Sequence, residues 1–224
     1  MNTAIIVAAG SGTRFGGEKP KQFLEVGGKP LLIHTLEKFE HCPLINEIVL
    51  VVASDQLINY RDIAVKYHLQ KVAKIVFGGK TRAESVFNGF SVIESSTAEI
   101  VAVHDGARPF VTNEEIIATV EKALETGAAC LVAPVTDTIK LVEGGKIVGT
   151  VERAKLRRAL TPQAFNFEIL RNALSGADLS ESATDECYLV EKLGYKISTV
   201  EGSAKNIKIT TREDWDLAET FLKN

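Results

Sequence analysis

Short, almost wholly apolar runs rich in β-branched side chains recur at residues 4–8, 48–53, 74–77, 100–103 and 130–135. A run without polar alternation fits a strand covered on both faces, as in a parallel sheet. Between the runs, apolar positions recur at helical period over 30–40, 55–67, 82–95 and 113–126. Thr81 with Glu84, and Thr112 with Glu115, have the spacing of capping boxes, in which a hydroxyl accepts from an orphan amide and the glutamate reaches back. Gly127 stands where the last of these helices should stop. Strands alternating with helices over short connections predict an α/β fold built on a doubly wound, mostly parallel sheet. Ligands of such sheets sit at the carboxyl ends of the strands.

The segment TIKLVEGGKIVGTVE, 138–152, breaks this rhythm with two alternating runs around Gly144-Gly145. That pattern predicts a β-hairpin. A lone hairpin is marginal in water, so the arm, about 137–154, must lie on its own domain or on a second subunit. The second reading is preferred, which makes the segment a projecting dimerisation arm and the protein a homodimer. The chain closes with a helix starting near Thr184, strands over 196–200 and 207–210, and a helix starting near Thr211. No internal repeat, low-complexity tract or linker interrupts it, so residues 1–224 read as one domain.

Composition narrows the partners. With 224 residues, 45% of them hydrophobic, the chain can bury a sizeable core. A net charge of −3 gives no global reason to expect nucleic acid. No apolar run approaches the roughly 18 residues a membrane span needs. Cys42, Cys130 and Cys187 are widely spaced and lack metal-ligand spacing, which suits a reduced, cytoplasmic setting. The opening MNTAIIVAAG turns into a glycine loop too early for a signal peptide. Any anionic ligand must therefore be held by local arrangement.

The loop AAGSGTRFGGEKPKQF, residues 8–23, is the natural place for one. It is not a dinucleotide-binding loop: Gly10 and Gly12 fit G-x-G-x-x-G, but Phe15 holds the third position and Pro20 interrupts any helix begun here. Nor is there a P-loop, because Lys74 stands where the first glycine of a motif ending in Gly79-Lys80-Thr81 belongs. What remains is a loose backbone carrying Arg14, Lys19 and Lys21, whose amides and cations can wrap a triphosphate.

In order along the chain stand AAGSGTR, PKQF, GGKTRAESV, VHDGARPF, PVTDTIK, ALTPQAF, ATDE and NIKIT. Together they resemble the nucleotidyltransferases that couple a sugar or polyol phosphate to a nucleoside triphosphate, and most closely the 2-C-methyl-D-erythritol 4-phosphate cytidylyltransferase family. The likeness covers nearly the whole chain; Gly106 stands where the family pattern carries alanine. It implies a Rossmann-like nucleotidyltransferase fold and attack by the polyol phosphate on the α-phosphorus of CTP, with release of pyrophosphate. A phosphate monoester has a second pKa near 6 and is largely dianionic at pH 7, so the nucleophile needs no general base. His104 accordingly reads as a hydrogen-bonded core or rim residue.

By the same resemblance, Arg14, Lys21 and Lys208 are the catalytic cations. Ala8, Ala9, Gly10, Gly12, Thr13, Gly79, Ser85, Asp105 and Ala107 join Arg14 and Lys21 around the nucleotide. Asp105 is the implied holder of Mg²⁺, the expected cofactor; the lesser alternative is an Asp that caps a turn with Arg108. The polyol phosphate is expected at Asp105, Arg108, Thr161, Thr184 and Lys208, with Thr138 and Arg153 reaching from the arm into a neighbouring subunit's site. From the residues alone, Arg108 could pair with a carboxylate or a phosphate, and GGKTRAES shows only a helix N-terminus able to attract an anion. Two further readings stand beside the first: a ribitol-5-phosphate cytidylyltransferase, and a nucleotide-binding module without catalysis. Arg82-Ala83-Glu84-Ser85 and Thr184-Asp185-Glu186 look more like the methylerythritol phosphate family.

Overall fold

A computed structural model describes residues 1–10, 15, 21–53, 57–179 and 184–223, excepting the side chains of Lys21, residues 57–61 and Lys223. Strand β1 (Asn2–Ala8) comes first. A 3-10 turn (Lys21–Phe23), a ribbon of β2 (Glu25–Val26) and β3 (Lys29–Pro30), and helix α1 (Leu31–Glu40) follow it. Then come β4 (Glu47–Val52), α2 (Leu57–Lys66), β5 (Val72–Phe77), α3 (Arg82–Phe90), β6 (Ile100–Asp105), α4 (Asn113–Thr126) and β7 (Ala128–Pro134). The hairpin is β8 (Lys140–Glu143) and β9 (Lys146–Thr150). The chain ends with β10 (Arg157–Asn166), α5 (Phe167–Ser175), α6 (Glu186–Lys192), β11 (Ser198–Glu201) and α7 (Arg212–Lys223).

Seven strands form the central sheet in the order β11-β7-β10-β6-β1-β4-β5. All neighbours run parallel except β10, which lies antiparallel to both β6 and β7. The apolar runs are continuous because each strand feeds two cores. Ala4, Ile6, Ile48, Leu50, Ile100, Ala102 and Leu131 point to one face, under Leu36, Ile116 and Val120 of α1 and α4. Ile5, Val49, Val51, Val101, Val103 and Val132 point to the other, under Val86, Leu170 and Val190 of α3, α5 and α6. Period-two alternation thus splits one hydrophobic strand between two helical layers.

Several expectations need correction. Residues 207–210 form no strand; they run past the end of β6, where the Ile209 amide donates to the Ala107 carbonyl at 2.9 Å. Helix α3 ends at Phe90 with Ser91 as its C-cap, short of residue 95. Strand β10, with α5 behind it, sits where the pattern predicted nothing. Pro162 lies within β10, where the register against β7 shifts between Ala159 and Gln163. Proline inside a strand argues against that assignment unless a bulge receives it.

The layout fixes the position of the site. From β1 the chain builds outward through β4 to β5, then returns to the other flank of β1 for β6. This is the topological switch point, where the carboxyl ends leave a crevice. Val7 of β1 lies opposite Asp105 of β6 there, and the Gly106 amide donates to the Val7 carbonyl at 2.9 Å.

Candidate active site

At the end of β6, Asp105 is buried and gathers three cations. Its Oδ1 accepts from Arg82 Nε at 3.0 Å, while Oδ2 meets Arg108 Nε and Lys208 Nζ, each at 3.1 Å. Arg82 extends its Nη1 to both oxygens of Glu186, at 2.7 and 2.9 Å. Burial alone would raise the Asp105 carboxyl, but Arg82, then Lys208 and Arg108, outweigh it and hold its pKa well below the usual range. Burial pushes the Glu186 carboxyl up, with Arg82 pulling against it. Burial would also lower the Arg82 guanidinium, yet the two carboxylates reverse that and hold its proton firmly. Three cations thus face two carboxylates, leaving an excess positive charge at a strand terminus that opens on the crevice.

His104 underpins this cluster from inside. Thr161 Oγ accepts from the Asp105 amide at 3.2 Å and lies 2.9 Å from His104 Nδ1. His104 Nε2 lies 3.2 Å from the Arg108 carbonyl, which can only accept. The bonds close in one tautomer: Thr161 donates to Nδ1, and Nε2–H donates to Arg108. Neutral imidazole is what burial demands, and burial pushes the His104 pKa down to about 3. Asn206 completes the frame, its Nδ2 donating to the Thr161 carbonyl at 3.0 Å while its own carbonyl accepts from Arg108 at 2.9 Å. Lys208 is carried to the end of β6 by these bonds.

The neighbouring strand ends form a second group. Gln22 is buried, and its Nε2 donates to the carbonyls of Ala8 and Gly10 at 2.9 and 2.8 Å. This seats the turn beginning at Lys21 beside the end of β1. A Cβ on Gly78 would fall 2.3 Å from Ala9 Cβ, so only glycine lets the turn after β5 lie against β1. Gly79 donates its amide to Ser85 Oγ at 3.0 Å. At the start of α3 the capping box is only half made. Thr81 accepts from the Glu84 amide, but the Glu84 carboxylate accepts from Lys80, one residue early, at 2.6 Å. The box at Thr112 and Glu115 is complete, and Gly127 ends α4 at φ 87°.

Asp105, Ala107, Arg108, Thr161 and Lys208 therefore converge, and Ala8, Ala9, Gly10, Gly79 and Ser85 gather at the adjoining strand ends. Gly12, Thr13 and Arg14 lie outside the described residues, as does the Lys21 side chain, so its approach to Lys208 is not described. Thr161 is buried, with its hydroxyl engaged by His104 and the Asp105 amide. Thr184 is exposed just before α6, whose start is held by Gln163 on Asp185 at 2.9 Å and by Arg82 on Glu186. Thr138 and Arg153 are exposed at the feet of the hairpin, where Arg153 donates to the Thr136 carbonyl at 2.6 Å. Among the described residues no hydrogen bond joins either to the Asp105 cluster. Arg82 and Glu186 were not among the expected site residues. Their signal lay in GGKTRAES and ATDE, but nothing in the spacing said that residues 104 positions apart would pair.

The described residues contain no group of three or more His, Cys, Asp or Glu able to hold a metal ion. Both oxygens of Asp105 already meet cations, and the second carboxylate of the cluster, Glu186, has both its oxygens on Arg82. Such a set does not form a resident metal cage, which needs several oxygen ligands. No helix among the described residues is long and apolar enough to cross a membrane.

The family model described as 2-C-methyl-D-erythritol 4-phosphate cytidylyltransferase matches residues 2–224. The protein of that name from Halalkalibacterium halodurans is 42% identical over 221 residues, spanning 98% of this chain and 96% of its own length. Its namesake from Alkaliphilus metalliredigens is 45% identical over 223 residues, spanning 98% and 92%. Among solved structures, the 4-diphosphocytidyl-2C-methyl-D-erythritol synthase of Anaerococcus prevotii is similar with a TM-score of 0.87 and 32% identity, over 100% of this chain and 96% of that one.

Proposed function

This chain belongs to the 2-C-methyl-D-erythritol 4-phosphate cytidylyltransferase family, and from that premise we propose how it works. It transfers the cytidylyl group of CTP to 2-C-methyl-D-erythritol 4-phosphate. The products are 4-diphosphocytidyl-2-C-methyl-D-erythritol and pyrophosphate. One observation carries the mechanism: a buried carboxylate holding three cations at the switch point of the sheet, beside the turn that Gly78 packs onto β1.

A phosphate oxygen of the acceptor forms a bond to the α-phosphorus as the bond from that phosphorus to the bridging oxygen breaks. The electron pair leaves with pyrophosphate, and no proton needs to be removed from a dianionic nucleophile. The protein's task is to bring two anions together in line and to stabilise the charge that spreads over the α-phosphate. Lys208 is the cation suited to that charge, because it is the most exposed of the three on Asp105. Arg14 and Lys21 serve the triphosphate from the glycine loop, and Gly79 and Ser85 border the base. Arg108 and Thr184 receive the acceptor phosphate with the arm residues Thr138 and Arg153 of a second subunit, while Thr161 orients His104 and Asp105 beneath them. Asp105 would hold a Mg²⁺ carried in with the triphosphate once Lys208 leaves its Oδ2, and the ion would offset the repulsion between the two anions.

The exposed Leu141, Val142, Ile147 and Val148 of the hairpin support a homodimer, since a two-stranded ribbon with apolar side chains in water needs a partner to cover it. Three buried cysteines without disulfides suit a cytoplasmic setting. The test is pyrophosphate release from CTP with methylerythritol phosphate and ribitol 5-phosphate offered separately. Turnover with the first is expected. Turnover with ribitol phosphate alone would overturn the acceptor, and CTP binding with no product from either would make the protein a binding module.

A further inference from the structure

The three cations on Asp105 are not held alike. Arg108 is fixed at two points, on Asp105 and on the Asn206 carbonyl at 2.9 Å. Arg82 is likewise fixed at two points, on Asp105 and by both oxygens of Glu186, whose side chain is 1% exposed. Lys208 makes one ion pair among the described residues, at 3.1 Å, and its side chain is 38% exposed. The two guanidinium groups occupy one carboxylate oxygen each, so the ammonium is the third and replaceable partner.

We propose that Arg82, braced by Glu186, is a positioning residue that frees Lys208 to leave Asp105 for a substrate phosphate. A buried carboxylate that loses a charged partner is strongly destabilised unless others compensate it. With Arg82 on Oδ1 and Arg108 on Oδ2, Asp105 stays satisfied when Lys208 swings away. Without Arg82, Oδ1 has no donor among the described residues, and Lys208 becomes the cation that must stay. The bridge has a second consequence. Arg82 opens α3 directly after the Gly78–Thr81 turn, and Glu186 opens α6 two residues after Thr184. Thr81 Oγ also donates to the Leu179 carbonyl at 2.7 Å. The turn expected to hold nucleotide and the segment expected to hold acceptor are thereby fixed to each other and to Asp105.

The role rests on the cytidylyl-transfer reading, but part of its test does not. The double variant Arg82→Met/Glu186→Gln removes both charged members together, which spares the fold the cost of stranding either one. Its kcat is expected to fall about 10- to 100-fold with the KM for CTP within about threefold of wild type, because a transition-state contact is lost rather than ground-state binding. In the same protein, acylation of the Lys208 amine by a small reagent, read by peptide mass spectrometry against exposed Lys155, should slow at least about fivefold as the ammonium is drawn onto Asp105. Glu186→Gln alone, which leaves Arg82 on Asp105 but unbraced, should show both effects at about two- to fivefold. Unchanged Lys208 labelling in either folded variant overturns the proposal, even where kcat falls, as does an unchanged kcat. If wild-type protein transfers cytidylyl to no acceptor, the functional reading falls while the labelling comparison still decides whether Arg82 controls Lys208.

Discussion

At the scale of single residues, His104 shows how a reactive type is made inert. Burial, ahead of every charge around it, drives its pKa to about 3 from an ordinary 6.5, and both ring nitrogens are engaged. An unfolded chain takes up a proton on this residue below pH 6.5 that the folded chain refuses until about pH 3. Stability from this group is therefore complete above pH 6.5 and is lost as pH falls, at about 1.4 kcal/mol per unit. Glu186 works in the opposite sense, since its raised pKa favours the fold at lower pH, and the depressed Asp105 acts only below its ordinary 3.8. Between pH 7 and pH 5 the His104 share is a loss of about 2 kcal/mol. Denaturant unfolding at both pH values should show that loss in wild type and lack it in His104→Gln. An identical pH slope in the variant would assign the effect elsewhere. The histidine's inertness was legible in the sequence because a dianionic phosphate nucleophile leaves it no proton to remove. Arg82 and Glu186 were not, because a long-range ion pair leaves no periodic trace.

At the scale of elements, the chain announces itself where local rules suffice. The buried parallel strands, the Thr112 box and the Gly127 stop were all legible from composition and spacing. So was the hairpin, where Gly144 and Gly145 take positive φ of 54° and 75° at the turn, as a tight primed turn requires. What escaped is tertiary. Strand β10 pairs antiparallel between two parallel neighbours and absorbs Pro162 at a register shift, while Asn166 caps α5 directly behind it. Residues 207–210 have the alternation of a strand, yet they are held by the Asn206 frame, the Ile209 bond to Ala107 and the Thr210 amide on Asp214 rather than by a ladder. Glu115 joins the two kinds of information. Its Oε2 closes the α4 box on the Thr112 amide at 2.9 Å, and its Oε1 accepts from the Ser203 amide at 2.5 Å, three residues before Asn206. Glu115→Ala strands two amides, each worth about 1–3 kcal/mol. It should cost about 2–4 kcal/mol in urea unfolding and lower turnover by loosening the segment that carries Lys208. A loss below about 0.5 kcal/mol, within the range of an ordinary surface change, would mean that water replaces the carboxylate and that the segment is held without it.

At the scale of the molecule, the question is why a sheet enzyme carries a ribbon that lies outside its central sheet with apolar side chains exposed. The hairpin forms its own two-stranded sheet, separate from the seven strands, and its apolar side chains stand exposed. Among the described residues Arg153 and Thr138 at its feet make no hydrogen bond or ion pair with the Asp105 cluster, although the resemblance puts both on the acceptor. Both facts follow if each arm completes the other subunit's site, with Lys21 serving its own. In a dimer of one Arg153→Ala chain and one Lys21→Ala chain, one site then loses both residues and the other keeps both. Random mixing makes half the dimers heterodimers, each with one intact site of two, so the mixture should recover about a quarter of wild-type activity from two nearly inactive parents. Mixing must follow dissociation and reassociation, checked by mass spectrometry of the heterodimer. Heterodimers that form without gaining activity over either parent would place arm and cations in the same subunit's site, and the exposed ribbon would then serve association alone.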